Sequence, residues 1–572
     1  MFTRSRYKED SPLVTVERVK KILDCLGVKT EVMWFNNGYG DFSCRLRIVN
    51  DRLRCFDIGT NGKGMSREYA LASAYGEFME RIQNKAMFRE GLKYATSYYL
   101  DDMHGSFSNN IRDNGLALDF LYYPDEFLKD DGVIYSPFLN LMTHRTEEFP
   151  IGYYRSVCGS TGMSAGNTIE EAICQALNEI VERYILCKIF SSGIRPRVLP
   201  VGHFAGTLIY QKIESLEKDY KIVIHDWSQD KGFPVIGMLL QRKEGGAYTY
   251  RVGADFNIIT ALERCFTETF QGSEVLNKLL KSPSSDYECS YQDYMRCRHN
   301  GTGVFPPYLL FDFEDEKELS YPHQDFLSYK EEVSFYLDWL KLNGYTAYIH
   351  DNSFLGFPAV TIYIPGMSDA HVSMEAKAEV LLRKLQERKH IEARYNLGKV
   401  IVEKKDLPLS WNPIFSDCIR LNPWNVNKGV VVYTHFAEAL IQLNLNRYGA
   451  ALEHIQLLVG QLKDALGEER IPRAYLVLRD VLVYLCGHQG LNVDSMDLES
   501  LMNEYGEGLV KSVVSMVKSV GVFVSSQHYP TCFDCAKCQI EGDCHFFEVV
   551  KLEKKLQDLQ SQYYGTAISI MG

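Results

Sequence analysis

The sequence predicts an α+β protein: sheets backing acidic helices over about residues 1–395, then an α-helical hairpin domain over 396–572. Three observations carry this reading. Strand-like and helical stretches alternate up to about residue 395. Beyond it, strand signals fade and helical periodicity dominates. Within the first part, three helices repeat one polar spacing, and each is entered through glycine. At 572 residues the chain is too long for one hydrophobic core, so more than one domain is expected.

In chain order, Val14–Leu26 is an amphipathic helix (Val16, Val19, Leu23, Leu26) that stops at Gly27. Glu31–Phe35 and Ser43–Val49 alternate as strands do, and Leu53–Ile58 reads as a further strand. Gly59-Thr-Asn-Gly-Lys-Gly64 reads as a Gly-rich turn opening a helix from about Ser66 to Lys85. That helix carries Ser73-x3-Glu77-x2-Glu80-Arg81. A second helix follows Gly162-Met-Ser-Ala-Gly-Asn-Thr168, capped by Thr168 or Asn167, with Glu170 and Glu171 in its first turn. Its polar edge reads Gln175-x3-Glu179-x2-Glu182-Arg183. A third helix, from about Ile259 to Gly272, reads Arg264-x3-Glu268-x2-Gln271, with Glu263 and Thr267 alongside. Residues at this spacing share one helix face.

Between and after these helices, strands are expected at Lys221–His225, Val235–Leu240, Thr249–Gly253, Thr346–His350 and Ala359–Tyr363. Helices are expected at Phe335–Leu342 and Glu375–Arg388, with a turn at Pro365-Gly-Met-Ser-Asp369. In the second part, helical periodicity runs through Phe436–Leu445, Ala450–Leu466, Ala474–Tyr484, Leu498–Tyr505 and Leu509–Val520. Tyr448-Gly-Ala-Ala-Leu452 is similar to the start of a tetratricopeptide-like helix, although no regular period near 34 residues is present.

A net charge of −12 argues against a general basic surface for nucleic acid, so no direct nucleic-acid contact is expected. No run approaches the roughly 18–20 apolar residues of a membrane span, and Met1–Asp10 lacks an apolar core, so a cytoplasmic protein is expected. Eleven of the fifteen cysteines stand singly, several in apolar contexts (Cys25, Cys174, Cys187, Cys265, Cys486), as buried reduced thiols do. Four cluster as Cys532-x2-Cys535-x2-Cys538-x5-Cys544, a spacing that suits one zinc ion or an iron–sulfur cluster and does not choose between them. The apolar stripe Val549, Leu552, Leu556, Leu559 on a final helix fits internal packing better than a dimer seam, and leaves a homodimer open.

One acidic helix edge is ordinarily a solvated face. Three copies of one pattern read instead as polar stripes converging on a common ligand. Glutamate oxygens favour magnesium or calcium over zinc, and several acids around several ions make sense beside a polyphosphate. Arg81, Arg183 and Arg264 would pair with phosphate oxygens or hold the glutamates. Backbone N–H groups at Gly62–Gly64 and Gly159–Gly166 would cradle phosphate at helix N-termini. No Gly-x4-Gly-Lys-Ser/Thr loop and no kinase signature is present, so the nucleotide site is of another kind.

Asn61-Gly-Lys-Gly64, Gly162-Met-Ser-Ala-Gly-Asn-Thr168, Ala261-Leu-Glu-Arg264 and Pro365-Gly-Met-Ser-Asp369, together with the three helix patterns, resemble the YcaO family. The resemblance covers about residues 1–395 and continues more weakly into the tail. It is nearest to the long stand-alone members with a tetratricopeptide-like C-terminal region. It implies ATP and Mg2+ held by Ser73, Glu77, Glu80, Ser164, Asn167, Glu171, Gln175, Glu179, Glu182 and Arg183, with Glu263, Arg264 and Glu268 on the third helix. Glu77, Glu80, Glu179 and Glu182 would be the metal ligands, and Glu182, Arg183 and Gln271 the catalytic set. Lys8 and Thr15 keep the family's Lys-x6-Ser/Thr spacing for nucleotide contacts.

The chemistry so implied is ATP-dependent activation of a peptide backbone amide, with ADP and phosphate as products: a nucleophile adds, the oxyanion attacks the γ-phosphate, and phosphate leaves. The chain ends Ile568-Ser-Ile-Met-Gly572, without the Pro-rich tail of azoline-forming members. This points to the stand-alone branch that assists a radical methylthiotransferase of the RimO type on a ribosomal protein. Thioamide or azoline formation on a ribosomally made peptide, and a nucleotide-binding scaffold without catalysis, are the alternatives. A second departure is Ser273 after Gln271-Gly272, where relatives often place arginine, so one phosphate contact is expected to be missing or supplied elsewhere.

Overall fold

A computed structural model of the chain describes residues 9–35, 42–51, 53–54, 58–87, 135–150, 154, 157–192, 194–228, 231–271, 280, 289–300, 303–311, 321–371, 434–466, 471, 473–488, 493, 496–520 and 545–566. These residues build three antiparallel sheets and the helices packed on them. Helix α1 (Pro12–Leu26) ends where Gly27 turns left-handed at φ 76°. It leads into a three-stranded sheet in the order β1 (Thr30–Phe35), β2 (Phe42–Ile48), β3 (Gly59–Gly64), which α2 (Arg67–Gln83) covers. One apolar core joins these elements: Val16, Val19 and Leu23 of α1, Leu46 and Ile48 of β2, and Phe78, Met79 and Ile82 of α2.

Here the structure corrects one expectation. Gly59–Gly64 is a strand rather than a turn, paired with β2 from Arg47↔Gly59 to Phe42↔Gly64. Leu53, Arg54 and Ile58, the described residues of the expected strand at 53–58, lie outside any strand. Glycine normally marks turns and weakens strands, but in β3 it permits close packing. A Cβ on Gly62 would stand 2.0 Å from the Ala70 carbonyl oxygen and 2.6 Å from the Ala74 nitrogen, so only glycine lets β3 lie this near α2.

The next sheet has five strands in the order β5 (Thr146–Pro150), β4 (Tyr135–Asn140), β11 (Tyr348–Asp351), β12 (Ala359–Tyr363), β6 (Met163–Ala165). A four-stranded sheet runs β10 (Tyr248–Ala254), β9 (Val235–Arg242), β8 (Tyr220–Asp226), β7 (Arg197–Leu199). Between these two sheets lies α3 (Ile169–Ser191), the central helix of the molecule. Ala172, Ile173, Ala176, Leu177, Ile180, Val181 and Ile185 are fully buried, so more than half of its circumference is apolar contact. The other face of the four-stranded sheet is covered by α4 (Leu208–Leu216) and α5 (Ile258–Phe270). Two further helices, α6 (Tyr291–Asn300) and α7 (Tyr329–Leu342), pack beside α3 in the same core.

The turn expected at residues 365–369 is present: Gly366 has φ 79° and its N–H donates to Asp369 Oδ1 at 2.7 Å. The expected helix at 375–388 lies outside the described residues.

In the second part, α8 (Thr434–Asn444), α9 (Tyr448–Leu466), α10 (Arg473–Gly487), α11 (Glu499–Tyr505) and α12 (Glu507–Lys518) share a separate core built on Leu440, Ile455, Leu478 and Val513. The final helix, α13 (His545–Thr566), buries Val549, Leu552 and Leu556 in the core of α1, α2 and the three-stranded sheet. Lys555 Nζ donates to the Cys25 and Leu26 carbonyls at the end of α1, where a cation meets the negative pole of the helix. Among the described residues, no helix is long and apolar enough to cross a membrane.

Candidate functional site

Three strand-to-helix units bring their polar edges together, and local rules set each one. Helix α2 starts at Ser66, whose Oγ accepts from the Tyr69 N–H. Helix α3 starts at Thr168, whose Oγ1 accepts from the Glu171 N–H at 3.2 Å. Helix α5 starts at Asn257, whose Oδ1 accepts from the Ile259 and Thr260 N–H groups. Each cap satisfies one or two of the donors that a helix start leaves unpaired. In each unit a glycine in or beside the strand makes room for the helix. At Gly166, a Cβ would lie 2.7 Å from the Ala172 nitrogen.

These contacts take up part of the expected phosphate cradle. Gly62–Gly64 belongs to β3, two residues short of the cap of α2. In the second glycine-rich stretch, the Gly162 N–H donates to Glu179 Oε2 at 3.3 Å and the Gly166 N–H to the Pro358 carbonyl. Gly62, Gly64 and Gly166 serve strand–helix approach.

The units enclose a cavity of about 540 Å³, within the usual range of small-molecule sites. Its wall carries Ser73, Glu77, Glu80 and Arg81 of α2; Glu171, Gln175, Glu179, Glu182 and Arg183 of α3; and Glu263, Arg264, Glu268 and Gln271 of the α5 stretch. Ser164 of β6 joins them. Ser164 is fully buried, and its Oγ has no hydrogen-bond partner among the described residues. Thr15 and Asn167 stand behind this wall and bond to each other at 2.8 Å. Asn167 in turn donates to Glu171 Oε2 from its N–H and its Nδ2, each at 3.0 Å. Lys8, Ser273 and the cluster Cys532, Cys535, Cys538, Cys544 lie outside the described residues.

Several cavity residues had no place in the repeated pattern. Lys63 is flanked by the two glycines whose backbone drew attention, yet it is its side chain that enters the cavity. It pairs with Glu268, and its Nζ donates to Gln271 Oε1 at 3.2 Å. Asp255 and Asn257 precede α5, while Asp325 and Glu332 come from the segment leading into α7 and from α7 itself. Asp255 follows Gly253-Ala directly, which is the one local signal that marked it. The others are reached only through the fold.

Ten carboxyl groups and four basic side chains (Lys63, Arg81, Arg183, Arg264) line the cavity, so the wall carries a formal excess of six negative charges. Part of it is internally compensated. Arg81 lies 3.4 Å from Glu77 and 3.3 Å from Glu80. Arg183 lies 3.9 Å from Glu179, and Arg264 donates to Gln175 Oε1 at 2.7 Å. Burial pushes the Glu182 carboxyl above its ordinary value, against the pull of Arg183, Lys63 and Arg264. Burial also pulls the Lys63 ammonium down to about 8, against the support of Glu182 and Glu77. Asp255 is likewise raised by burial, with Arg264 opposing.

Such a wall suits a hard cation bound with a polyanion, since carboxylate oxygens are its donors. Among the described residues, no three acidic, His or Cys side chains are gathered closely enough to hold an ion by themselves. Magnesium needs no such cage: it takes one or two carboxylates and completes its shell with water and phosphate oxygens. The residues present therefore fit magnesium with a nucleotide polyphosphate.

An α+β fold with three acidic helices closing on one cavity defines a class of ligand-binding domain distinct from the Gly-x4-Gly-Lys-Ser/Thr type. Residues 61–368, more than half of the chain, match the family model described as YcaO cyclodehydratase, ATP- and Mg2+-binding. The chain belongs to the YcaO family. It is similar to the ribosomal protein S12 methylthiotransferase accessory factor YcaO of Escherichia coli (strain K12), with 27% identity over 387 residues, 62% of this chain and 65% of that protein. An uncharacterized protein of Haemophilus influenzae is 27% identical over 386 residues, with the same coverages of 62% and 65%. The match thus spans just under two thirds of the length of these relatives. Among solved structures, YcaO from Methanopyrus kandleri bound with AMPPCP and Mg2+ is 18% identical, with a TM-score of 0.43, over 64% of this chain and 94% of that one.

Proposed function

We propose that this protein is an ATP- and Mg2+-dependent enzyme that activates a backbone amide of a peptide or protein, in support of a methylthiotransferase acting on a ribosomal protein. The observation that carries the reading is the convergence of three polar helix faces on one cavity with far more carboxylates than bases. Membership of a family described as ATP- and Mg2+-binding supports the cofactors. The name of the E. coli relative supports the methylthiotransferase partner and the ribosomal substrate.

In this reading, Ser73, Glu77, Glu80, Ser164, Gln175, Glu179, Glu182, Arg264 and Glu268 contact the nucleotide or its ions, and Glu77, Glu80, Glu179 and Glu182 are the magnesium ligands. Glu171, tied to Asn167 and through it to Thr15, sets the start of α3 and holds that wall in place. Lys8 contacts the nucleotide. When bound, magnesium neutralises phosphate charge and raises the electrophilicity of the γ-phosphorus. Arg183, held at the Arg298 carbonyl at 2.7 Å, is oriented to stabilise the oxyanion and the departing phosphate. Gln271, fixed between Lys63 and the Asn61 carbonyl, positions the substrate amide at the cavity edge. Residues 1–395 form the ATP-binding domain, and the helical part, tetratricopeptide-like in its hairpins, receives the protein partner.

The test is phosphate release from ATP with and without purified ribosomal protein S12, in wild type and Glu182→Gln. The expected outcome is stimulation by the substrate in wild type and a loss of about 100-fold or more in the variant. A wild-type chain that neither binds nor hydrolyses ATP would sink the reading.

A further inference from the structure

Among the cavity acids, Glu263 is set up differently from those it resembles in sequence. Glu77 and Glu80 have Arg81 beside them, Glu179 has Arg183, and Glu268 has Lys63. Glu263 is 5% exposed, lines the cavity, and pairs with no cation among the described residues. Its Oε2 has no hydrogen-bond partner among them either. The backbone around it is fully used: Thr267 Oγ1 donates to the Glu263 carbonyl at 2.9 Å, which fixes this turn of α5. Burial alone pushes the carboxyl up to about 8, and no other cavity charge contributes. It therefore stands apart from the ion-binding acids of α2 and α3.

A buried carboxyl without a partner is unfavourable for the fold, and inside a ligand cavity such a group marks a functional position. A carboxylate whose affinity for a proton is near that of the medium is what general-base catalysis asks for. The paired acids serve less well, because a cation already holds their charge.

We infer that Glu263 is the proton acceptor of this cavity, taking the proton of the O–H or S–H nucleophile through Oε2. The inference rests on the amide-activation reading. As the nucleophile adds, its bond to the amide carbon forms, the C=O π pair moves onto oxygen, and the X–H proton passes to the carboxylate. No oxidant or reductant enters. The proton leaves to solvent when the product does. The other charged groups lining the cavity are Lys63 of β3; Glu77, Glu80 and Arg81 of α2; Glu171, Glu179, Glu182 and Arg183 of α3; Asp255, Asp325 and Glu332; with Arg264 and Glu268 on α5 itself.

The experiment uses the full chain with Mg2+-ATP and purified ribosomal protein S12, and reads the substrate-stimulated part of phosphate release, which follows the step in which the nucleophile loses its proton. Phosphate release is followed against pH in wild type, Glu263→Gln and Glu263→Asp, and binding is measured with the non-hydrolysable analogue AMPPCP. The wild-type rate should rise with pH through about 8, as the carboxyl ionises. In Glu263→Gln, kcat should fall about 100-fold, the rising limb should vanish, and AMPPCP affinity should stay within about twofold. Glu263→Asp should recover part of the rate.

An unchanged kcat and pH profile in Glu263→Gln overturns the inference while leaving the amide-activation reading intact. Weakened AMPPCP binding with kcat preserved also overturns it, making Glu263 a ligand of the nucleotide or its ion. Absence of AMPPCP binding to wild type brings down both readings. Should Glu263→Gln not fold, Glu263→Asp decides through the same rate profile. A lowered kcat with a displaced rising limb and AMPPCP affinity kept supports the role, and an unchanged kcat and pH profile overturns it.

Discussion

Helices α2 and α5 present the same spacing of polar residues to one cavity and handle the charge in opposite ways. On α2, Arg81 sits four residues after Glu77 and next to Glu80, so the stripe compensates itself within one turn. An isolated helix could form these pairs. On α5 the pairs reach outward: Glu268 to Lys63 of β3, Arg264 to Gln175 of α3, and Gln271 to the Asn61 carbonyl. These exist only once the sheets have assembled. A shared sequence pattern therefore specifies a shared face, and the tertiary neighbours decide its electrostatics. The α2 stripe is a preformed wall, whereas the α5 stripe also fastens the four-stranded sheet to the three-stranded one.

The largest effect should come from moving β3, on which this fastening depends. Gly62→Val places side-chain carbon where the Ala70 carbonyl oxygen stands 2.0 Å away and the Ala74 nitrogen 2.6 Å away, and both are helix backbone that cannot swing aside. The strand must lift off α2 and carry Lys63 away from Glu268. The expected loss is at least about 4 kcal/mol, read from urea unfolding. A variant of near wild-type stability would show that β3 has freedom the packing denies, and would remove the contrast between the two helices.

A second effect separates Glu263 from every acid on α2. Its value in the folded chain, about 8, lies above the ordinary 4.5, so the unfolded chain ionises first as pH rises. The contribution of this carboxyl to stability is intact below about pH 4.5 and is lost as pH rises through 8. Glu263→Gln has no such loss. Its stability relative to wild type should therefore improve by about 2 kcal/mol on going from pH 5 to pH 8.5, after allowance for relaxation of the site. Thermal melting of the ligand-free proteins at both pH values checks this. A difference that stays constant across the range would mean that Glu263 is better solvated than its 5% exposure implies.

The route from sequence to structure was clear where local physics acts alone. Ala359–Tyr363 is a strand over the same residues that the sequence reading gives, and Ser66 and Thr168 start their helices as side-chain oxygens at a helix entry do. It was misleading where a residue type answers to a distant partner. The glycines of β3 read as a turn because their reason for being there is α2. The side chain of Lys63 went unweighed for a similar reason: Glu268, its partner, lies some two hundred positions away. Asp325 and Glu332 belong to no repeated pattern and join the wall through the path of the chain. The apolar stripe of α13 was legible, but its target, the core shared by α1 and α2, was not, since hydrophobic spacing names a face and not the surface it meets.

The smallest effect tests the contrast most directly, through two double-mutant cycles. Lys63→Met with Glu268→Gln measures the pair between elements, and Arg81→Met with Glu77→Gln measures the pair within a helix. The side chains of Lys63 and Glu268 are 30% and 29% exposed, so solvent screens them and their coupling should be only about 1 kcal/mol. Arg81 and Glu77 meet at 3.4 Å on one helix, a geometry worth about 0.3–0.5 kcal/mol. Arg81 also keeps Glu80 as a second partner, which lowers the coupling to either acid alone. The two cycles should differ in salt dependence in the same order, with the α2 coupling vanishing first as ionic strength rises. Equal couplings would mean that assembly adds nothing to the α5 pair. A larger α2 value would reverse the assignment of which helix is self-contained and which one joins the sheets.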